Sequence, residues 1–198
     1  ALFSATMPQE VLEIAEKYLT DPVRILLPQD EVTLDGIKQY YFQLSREDLK
    51  LQALLDLYQY IAINQSLIYV NKRQKAEWLA KQLANQGFTL EYIHGDMDVA
   101  ERKKRMEDFR SGRVRVLIST DLLARGIDVQ QVSLVVNFEM PLQRENYVHR
   151  IGRSGRYGKK GVAINLVYGD EMKMVRELEQ HYSTRIFEIP DDLSLLSV

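Results

Sequence analysis

Short runs of β-branched and aliphatic residues alternate with longer stretches of helical period along most of this chain, and few folds accept that alternation. Strand candidates are residues 23–27, 39–44, 66–70, 90–93, 114–119, 134–137 and 162–167, with helix candidates at 9–19, 46–61, 73–86, 99–111, 144–150 and 170–182. Strands parted by whole helices need crossover connections, which make neighbouring strands parallel. The predicted fold is α/β, a mostly parallel sheet flanked by helices on both faces. Leu51, Leu54, Leu55 and Tyr58 form an apolar stripe at i, i+3, i+4 and i+7, to be laid against that sheet. Gly87 stands where a helix-ending glycine belongs, and Asp170 is placed to cap the last helix. Trp78, between turns carrying Leu79 and Leu83, reads as core, and the mixed-sign block 101–105 as solvated helix surface.

With 198 residues, 45 % of them hydrophobic, the chain can build one well-formed core. No apolar run approaches the roughly 18 residues of a membrane span, so no membrane partner is expected. The absence of cysteine excludes disulfides and thiolate metal sites and suits a reducing compartment. His94, His149 and His181 lack metal-ligand spacing, so no metal site is expected. A net charge of -2 and a pI near 6.0 argue against a freestanding nucleic-acid binder, whose pI usually exceeds about 9. Residues 1–35 are punctuated by Asp21-Pro22 and Pro28-Gln29-Asp30-Glu31 and read as a lead-in and linker, with 36–190 the folded domain and 191–198 a tail. The chain opens mid-element at Ala1-Leu2-Phe3, as expected of a piece of a longer protein.

The chemistry concentrates in two segments. His149-Arg150-Ile151-Gly152-Arg153-Ser154-Gly155-Arg156 sets arginines three apart in a glycine-broken run. Guanidinium groups fork onto paired oxygens, and a cluster of them invites an anion, phosphate above all. The alternative is a solvated basic face. The second segment, Thr120 to Asp128, follows a strand, and open parallel sheets collect ligands at the carboxyl ends of their strands. Thr120 offers a hydroxyl, Arg125 a guanidinium, Gly126 an open backbone and Asp128 a carboxylate; a turn in which Asp128 and Arg125 pair with each other is the alternative.

The arginine octet resembles the arginine-rich motif of the DEAD-box RNA helicases, and other phrases match that family in order. Ser4-Ala5-Thr6 is similar to the motif closing the family's first domain, and residues 119–128 to the motif preceding the arginines. The resemblance covers nearly the whole chain. Residues 122–132 and Glu145-Asn146-Tyr147 bring it nearest the translation-initiation helicases of the 4A group, with a nuclear relative of the exon-junction complex as the alternative.

The resemblance implies a fold, an activity and a set of site residues. By it, the domain is the second RecA-like domain of a two-domain ATP-dependent helicase that opens short RNA duplexes when ATP and RNA close the two halves. Arg153 and Arg156 are the catalytic arginines; Gly126, Asp128, Arg153, Arg156 and Tyr157 meet ATP. Asn71, Arg73, Gly95, Asp96, Arg102, Thr120 and Arg125 track RNA without reading its sequence, and Ser4, Thr6, His149 and Arg150 couple the domains. Each RNA candidate taken singly is as well explained by a capping or surface role. Val99 stands three residues before Arg102, where the family often has glutamine. No phosphate-binding P-loop and no Asp-Glu-x-Asp run is present, because Gly158-Lys159-Lys160-Gly161 has neither the spacing nor the hydroxyl. The ATP cradle and the Mg²⁺ ligands are thus assigned to the first domain, and this chain alone is expected to be inactive. Implied partners are that first domain, RNA, a scaffold of the 4G type and a helper of the 4B type, for a cytoplasmic monomer, with a nuclear location as the alternative. Two competing functions are a non-catalytic RNA- or scaffold-binding module and a DNA translocase; His149, where translocases usually carry glutamine, disfavours the latter.

Overall fold

A computed structural model describes residues 9–23, 34, 36–61, 63–121, 132–154, 161–190, 192–193 and 196. After helix α1 (Gln9–Tyr18) come β1 (Ile37–Leu44), α2 (Lys50–Tyr60), β2 (Ser66–Tyr69), α3 (Arg73–Asn85), β3 (Leu90–Ile93) and α4 (Val99–Arg110). The second half holds β4 (Val116–Ser119), β5 (Leu134–Asn137), α5 (Arg144–Ile151), β6 (Gly161–Tyr168), α6 (Glu171–His181) and β7 (Phe187–Glu188). The seven strands make one sheet in the order β3-β4-β2-β5-β6-β1-β7. Every pairing among them is parallel.

Alternation within strands divides the core in two. Leu67, Tyr69, Leu117, Val135, Ala163 and Val167 join residues of α4, α5 and α6 on one face. Ile68, Val70, Ile118, Leu134, Val136 and Ile164 join α2 and α3 on the other. Because both faces are covered, β2, β4 and β5 are buried at every position, as the unbroken apolar runs require.

Several boundaries depart from expectation. The helix predicted over 46–61 splits into a 3₁₀ turn, Glu47–Leu49, and then α2. The face of α2 turned to the sheet is centred on Ala53, Leu54 and Leu57, with Leu51, Leu55 and Tyr58 at its margins. Strand β7, two residues on the edge beside Tyr40 and Tyr41, has no sequence signal of its own. Val23 is exposed coil, and the rest of the strand predicted at 23–27 lies outside the described residues. Gly87 does end α3 with a positive φ of 84°. Asp170 sits at the N-cap of α6, but its carboxylate bonds Lys173 (2.7 Å) instead of capping the helix. Trp78 is the clear correction. It is 41 % exposed, because α3 turns Ala76, Leu79, Ala80 and Leu83 to the sheet and position 78 falls off that stripe; Lys75 lies over its ring at 5.0 Å and Phe138 packs beside it. No helix among the described residues is long and apolar enough to cross a membrane.

Candidate functional site

The strands β3, β4, β2 and β5 are consecutive in the sheet, so the segments leaving their carboxyl ends stand side by side. Asn71, Lys72, Arg73 and Gln74 after β2, His94, Gly95 and Asp96 after β3, and Thr120 and Asp121 after β4 line one groove of about 330 Å³. Five of the residues assigned to RNA (Asn71, Arg73, Gly95, Asp96 and Thr120) are thereby brought together. Arg102 is half-buried on α4, outside that lining, and Arg125 lies outside the described residues. Lys72, Gln74, His94 and Asp121 also line the groove, in the same strand-end segments as the assigned residues.

Charge and polarity in the groove are uneven. Arg73 donates to Asp96 at 2.7 Å across it, an exposed pair that a ligand can open at small cost. Helix α3 begins at the groove with no side-chain cap, which leaves its first-turn N–H groups to other acceptors. The neighbouring α4 is different: Asp98 accepts from the N–H of Ala100 (2.8 Å) and Glu101 (3.4 Å) and occupies that helix end. Two buried polar atoms at the groove, Thr120 Oγ1 and His94 Nδ1, have no hydrogen-bond partner among the described residues. An unsatisfied buried polar atom costs about 1–3 kcal/mol, so such atoms mark places where a bound group completes the structure.

Arg150 stands at the back of the groove with none of its surface exposed. Its guanidinium donates to Asp121 through Nε (2.5 Å) and Nη2 (2.8 Å), to Asn71 Oδ1 (2.7 Å), to Asn137 Oδ1 (3.1 Å) and to the Glu139 carbonyl (2.6 Å). Its Cζ also lies 5.1 Å from the centroid of the Tyr69 ring. Burial pushes the Tyr69 phenol well above its ordinary value, while nearby Arg153 and Arg150 pull the other way. The anion expected among the arginines is, for Arg150, the protein's own Asp121, a partner that no spacing in the sequence reveals.

Helix α5 ends at Ile151, so Arg153 sits in the turn beyond it, half-buried, with Nε donating to the His149 carbonyl (3.2 Å). His149 is itself buried on α5. Gly152 has a packing reason of its own: a Cβ there would meet the Val148 carbonyl oxygen at 2.8 Å. Its small size serves the helix end. Ser154 donates to the Ile151 carbonyl (2.8 Å) and pairs across to Val132. Arg156, Tyr157, Gly126 and Asp128, and likewise Ser4 and Thr6, lie outside the described residues. Among the described residues no group of three His, Asp or Glu side chains could hold a metal ion.

The helicase conserved C-terminal domain family matches residues 49–158. The ATP-dependent RNA helicase eIF4A of Phaeosphaeria nodorum is 58 % identical over 96 % of this chain and 48 % of its own length. That of Schizosaccharomyces pombe is 54 % identical over 98 % of this chain and 49 % of its own. Among solved structures, S. cerevisiae Dbp5 bound to RNA and ADP BeF₃ superposes with a TM-score of 0.89 at 35 % identity, covering 98 % of this chain and 52 % of that one. E. coli SrmB bound to RraA gives 0.73 at 34 % identity, over 79 % and 93 %. The chain spans about half the length of the curated relatives it matches.

Proposed function

Because the chain belongs to the family of helicase conserved C-terminal domains, in its DEAD-box branch, we propose that its RecA-like fold is the second half of an ATP-dependent RNA helicase. The observation that carries this reading is Arg150. One guanidinium holds Asn71 and Asp121 in the groove, and the same helix leads three residues on to Arg153. A nucleic-acid groove and a phosphate-facing arginine are thus built on one buried side chain.

In this reading RNA backbone lies along Asn71, Arg73, Gly95, Asp96 and Thr120, with Arg102 and Arg125 extending the track. Contacts of this kind meet phosphate and 2′-hydroxyl groups and carry no base sequence. Arg153 and Arg156 face the γ-phosphate of an ATP held on the preceding domain. Charge in phosphoryl transfer spreads over the equatorial oxygens, and a guanidinium delivered from outside the cradle is worth about 10³–10⁵ in turnover. Asp128 meets the ribose, Gly126 permits close approach of the nucleotide and Tyr157 lies along the adenine. Mg²⁺ ligands belong to the preceding domain, where the ion would neutralise phosphate charge. ATP and RNA together close the two domains through contacts that include Ser4, Thr6, His149 and Arg150. The closed form bends one strand so that a short duplex opens, and phosphate release reopens it. The eIF4A relatives support a role in translation initiation. With that role we propose a 4G-type scaffold and a 4B-type helper as partners, a cytoplasmic location and a monomeric state.

RNA-stimulated ATPase activity tests the reading. The chain alone should be silent; joined to a matching first domain it should turn over, and Arg153→Gln should abolish that turnover. Activity from the chain alone would require a phosphate cradle within it. A joined protein with no activity would leave an RNA-binding module.

A further inference from the structure

Three amide side chains are buried on the α5–α6 face of the sheet, where most of their neighbours are apolar. They are Asn137 on β5, Asn165 on β6 and Gln39 on β1. Asn137 and Asn165 are register partners on adjacent strands. Together with two side chains of α5 they form one hydrogen-bonded chain. Arg150 Nη1 donates to Asn137 Oδ1 (3.1 Å), and Asn137 Nδ2 donates to Asn165 Oδ1 (2.8 Å). Asn165 Nδ2 donates to Tyr147 Oη (3.2 Å) and to the Tyr40 carbonyl (2.8 Å). Tyr147 then donates to Gln39 Oε1 (2.9 Å), and Gln39 Nε2 to Thr184 Oγ1 (2.9 Å).

Every link runs donor to acceptor in the same sense, so each bond polarises the next. Burial raises the Tyr147 phenol well above its ordinary value, against the hydrogen bond from Asn165, which keeps the hydroxyl protonated and able to donate. Stability alone does not explain the arrangement. A hydrogen bond nets only about 1 kcal/mol, and apolar side chains of similar shape in place of both partners would do nearly as well. Geometry explains it better. Tyr147 and Arg150 are one turn apart on α5, and both end on the same amide pair. Two anchors on one helix face, added to the packing of Val148 and Ile151, define its rotation about its axis and its slide along the sheet more closely than one anchor does. Arg153 rides on the end of that helix, its N–H donating to the Arg150 carbonyl (3.3 Å) and its Nε to that of His149 (3.2 Å).

We propose that the Asn137–Asn165 pair, with Tyr147, is a positioning clamp that sets where Arg153 stands against a nucleotide phosphate. The clamp rests on the reading of Arg153 given above. It touches neither nucleotide nor RNA and acts through α5, so its loss changes the chemical step and leaves binding alone.

The test uses the joined two-domain protein with Tyr147→Phe, Asn165→Leu, the two combined, and Arg153→Gln as reference. Each single change should lower RNA-stimulated kcat about 10- to 100-fold, the size expected when a catalytic group shifts by about an ångström. KM for ATP and affinity for RNA should stay within about twofold, since no contact to either ligand is removed. The combined variant should lose no more than the worse single variant, because both changes open one clamp. Should Asn165→Leu fail to fold, Tyr147→Phe, which deletes a single oxygen, carries the test. An unchanged kcat in the clamp variants, with Arg153→Gln inactive, overturns the clamp and spares the site. Losses that multiply in the combined variant, or that vanish when each protein is assayed equally far below its own melting temperature, reduce the network to a structural role. Full activity of Arg153→Gln overturns the functional reading itself.

Discussion

Among the described residues nothing bonds the buried Thr120 hydroxyl, and that makes the residue a sharp probe of the groove. Thr120→Val keeps the shape and removes the unsatisfied oxygen. Urea unfolding should show stability unchanged or raised by up to about 1 kcal/mol, while affinity of the joined protein for RNA falls roughly tenfold, the loss of one hydrogen bond to a ligand. A fall in stability with RNA affinity intact would make the hydroxyl structural. Gly152 gives the opposite case. Gly152→Ala forces a Cβ against the Val148 carbonyl oxygen, which is backbone and cannot swing away. Destabilisation of about 1–3 kcal/mol is expected from such overpacking, measurable by the same unfolding curve. The types of residue were legible at this scale, but their surroundings were not. Arg150 reads in the sequence as one of a basic set, yet it is wholly buried, because its partners Asn71, Asp121, Asn137 and Glu139 come from three different strand ends. Trp78 reads as core from its apolar neighbours, but α3 buries Ala76, Leu79, Ala80 and Leu83 against the sheet and leaves position 78 off that stripe.

The elements were legible where periodicity is strong and failed where a tertiary contact decides. Strands β2, β4 and β5 announce themselves as apolar runs, and α3 by its terminal Gly87. The edge strand β7 is too short to carry a period, and Glu179 of α6 helps to bring it into place. The Glu179 carboxylate accepts from the Ile186 N–H (2.9 Å), one residue before β7, and from Arg176 (2.6 Å). Burial works against its ionisation, but those donors, with Arg185 nearby, hold the carboxyl below the ordinary value of 4.5. A carboxyl depressed in the folded state stabilises fully above its unfolded value, and that contribution disappears as pH falls through the folded value. The protein should therefore lose stability as acid carries it below the ordinary glutamate range. Glu179→Gln should be the less stable protein at neutral pH, with the difference shrinking as the pH falls. Parallel stability curves for the two proteins down to about pH 3 would show that the carboxylate is not tied to the fold.

At the scale of the whole molecule, alternation of strands and helices was enough to give a parallel sheet covered on both faces, and the rule that ligands gather at carboxyl ends gave the edge on which to look. Strand order was beyond the sequence, because crossover connections of similar length can place a strand on either side of its predecessor. That order decides the site: β3, β4, β2 and β5 are neighbours, so segments distant in sequence make one groove. The balance of charge sets how the groove can behave alone. The chain carries a net charge of -2, the groove's lysine and arginine face Asp96 and Asp121, and Arg73 is already paired. A surface of this kind can displace few counterions. Each phosphate neutralised on a single strand contributes a slope of about -0.7 in log K against log salt, so three contacts from Lys72, Arg73 and Arg102 would give about -2. Fluorescence anisotropy of a labelled single-stranded RNA between about 50 and 200 mM salt should find weak binding with that shallow slope, indifferent to ATP. Joined to a first domain and given a non-hydrolysable ATP analogue, the slope should steepen, because closure brings a second set of cations to the same strand. If the isolated chain matches the joined protein in slope and affinity, the whole RNA footprint lies on this domain and closure adds nothing to it. The groove would then act as a binding surface in its own right, and the coupling through Arg150 would have no RNA signal to transmit.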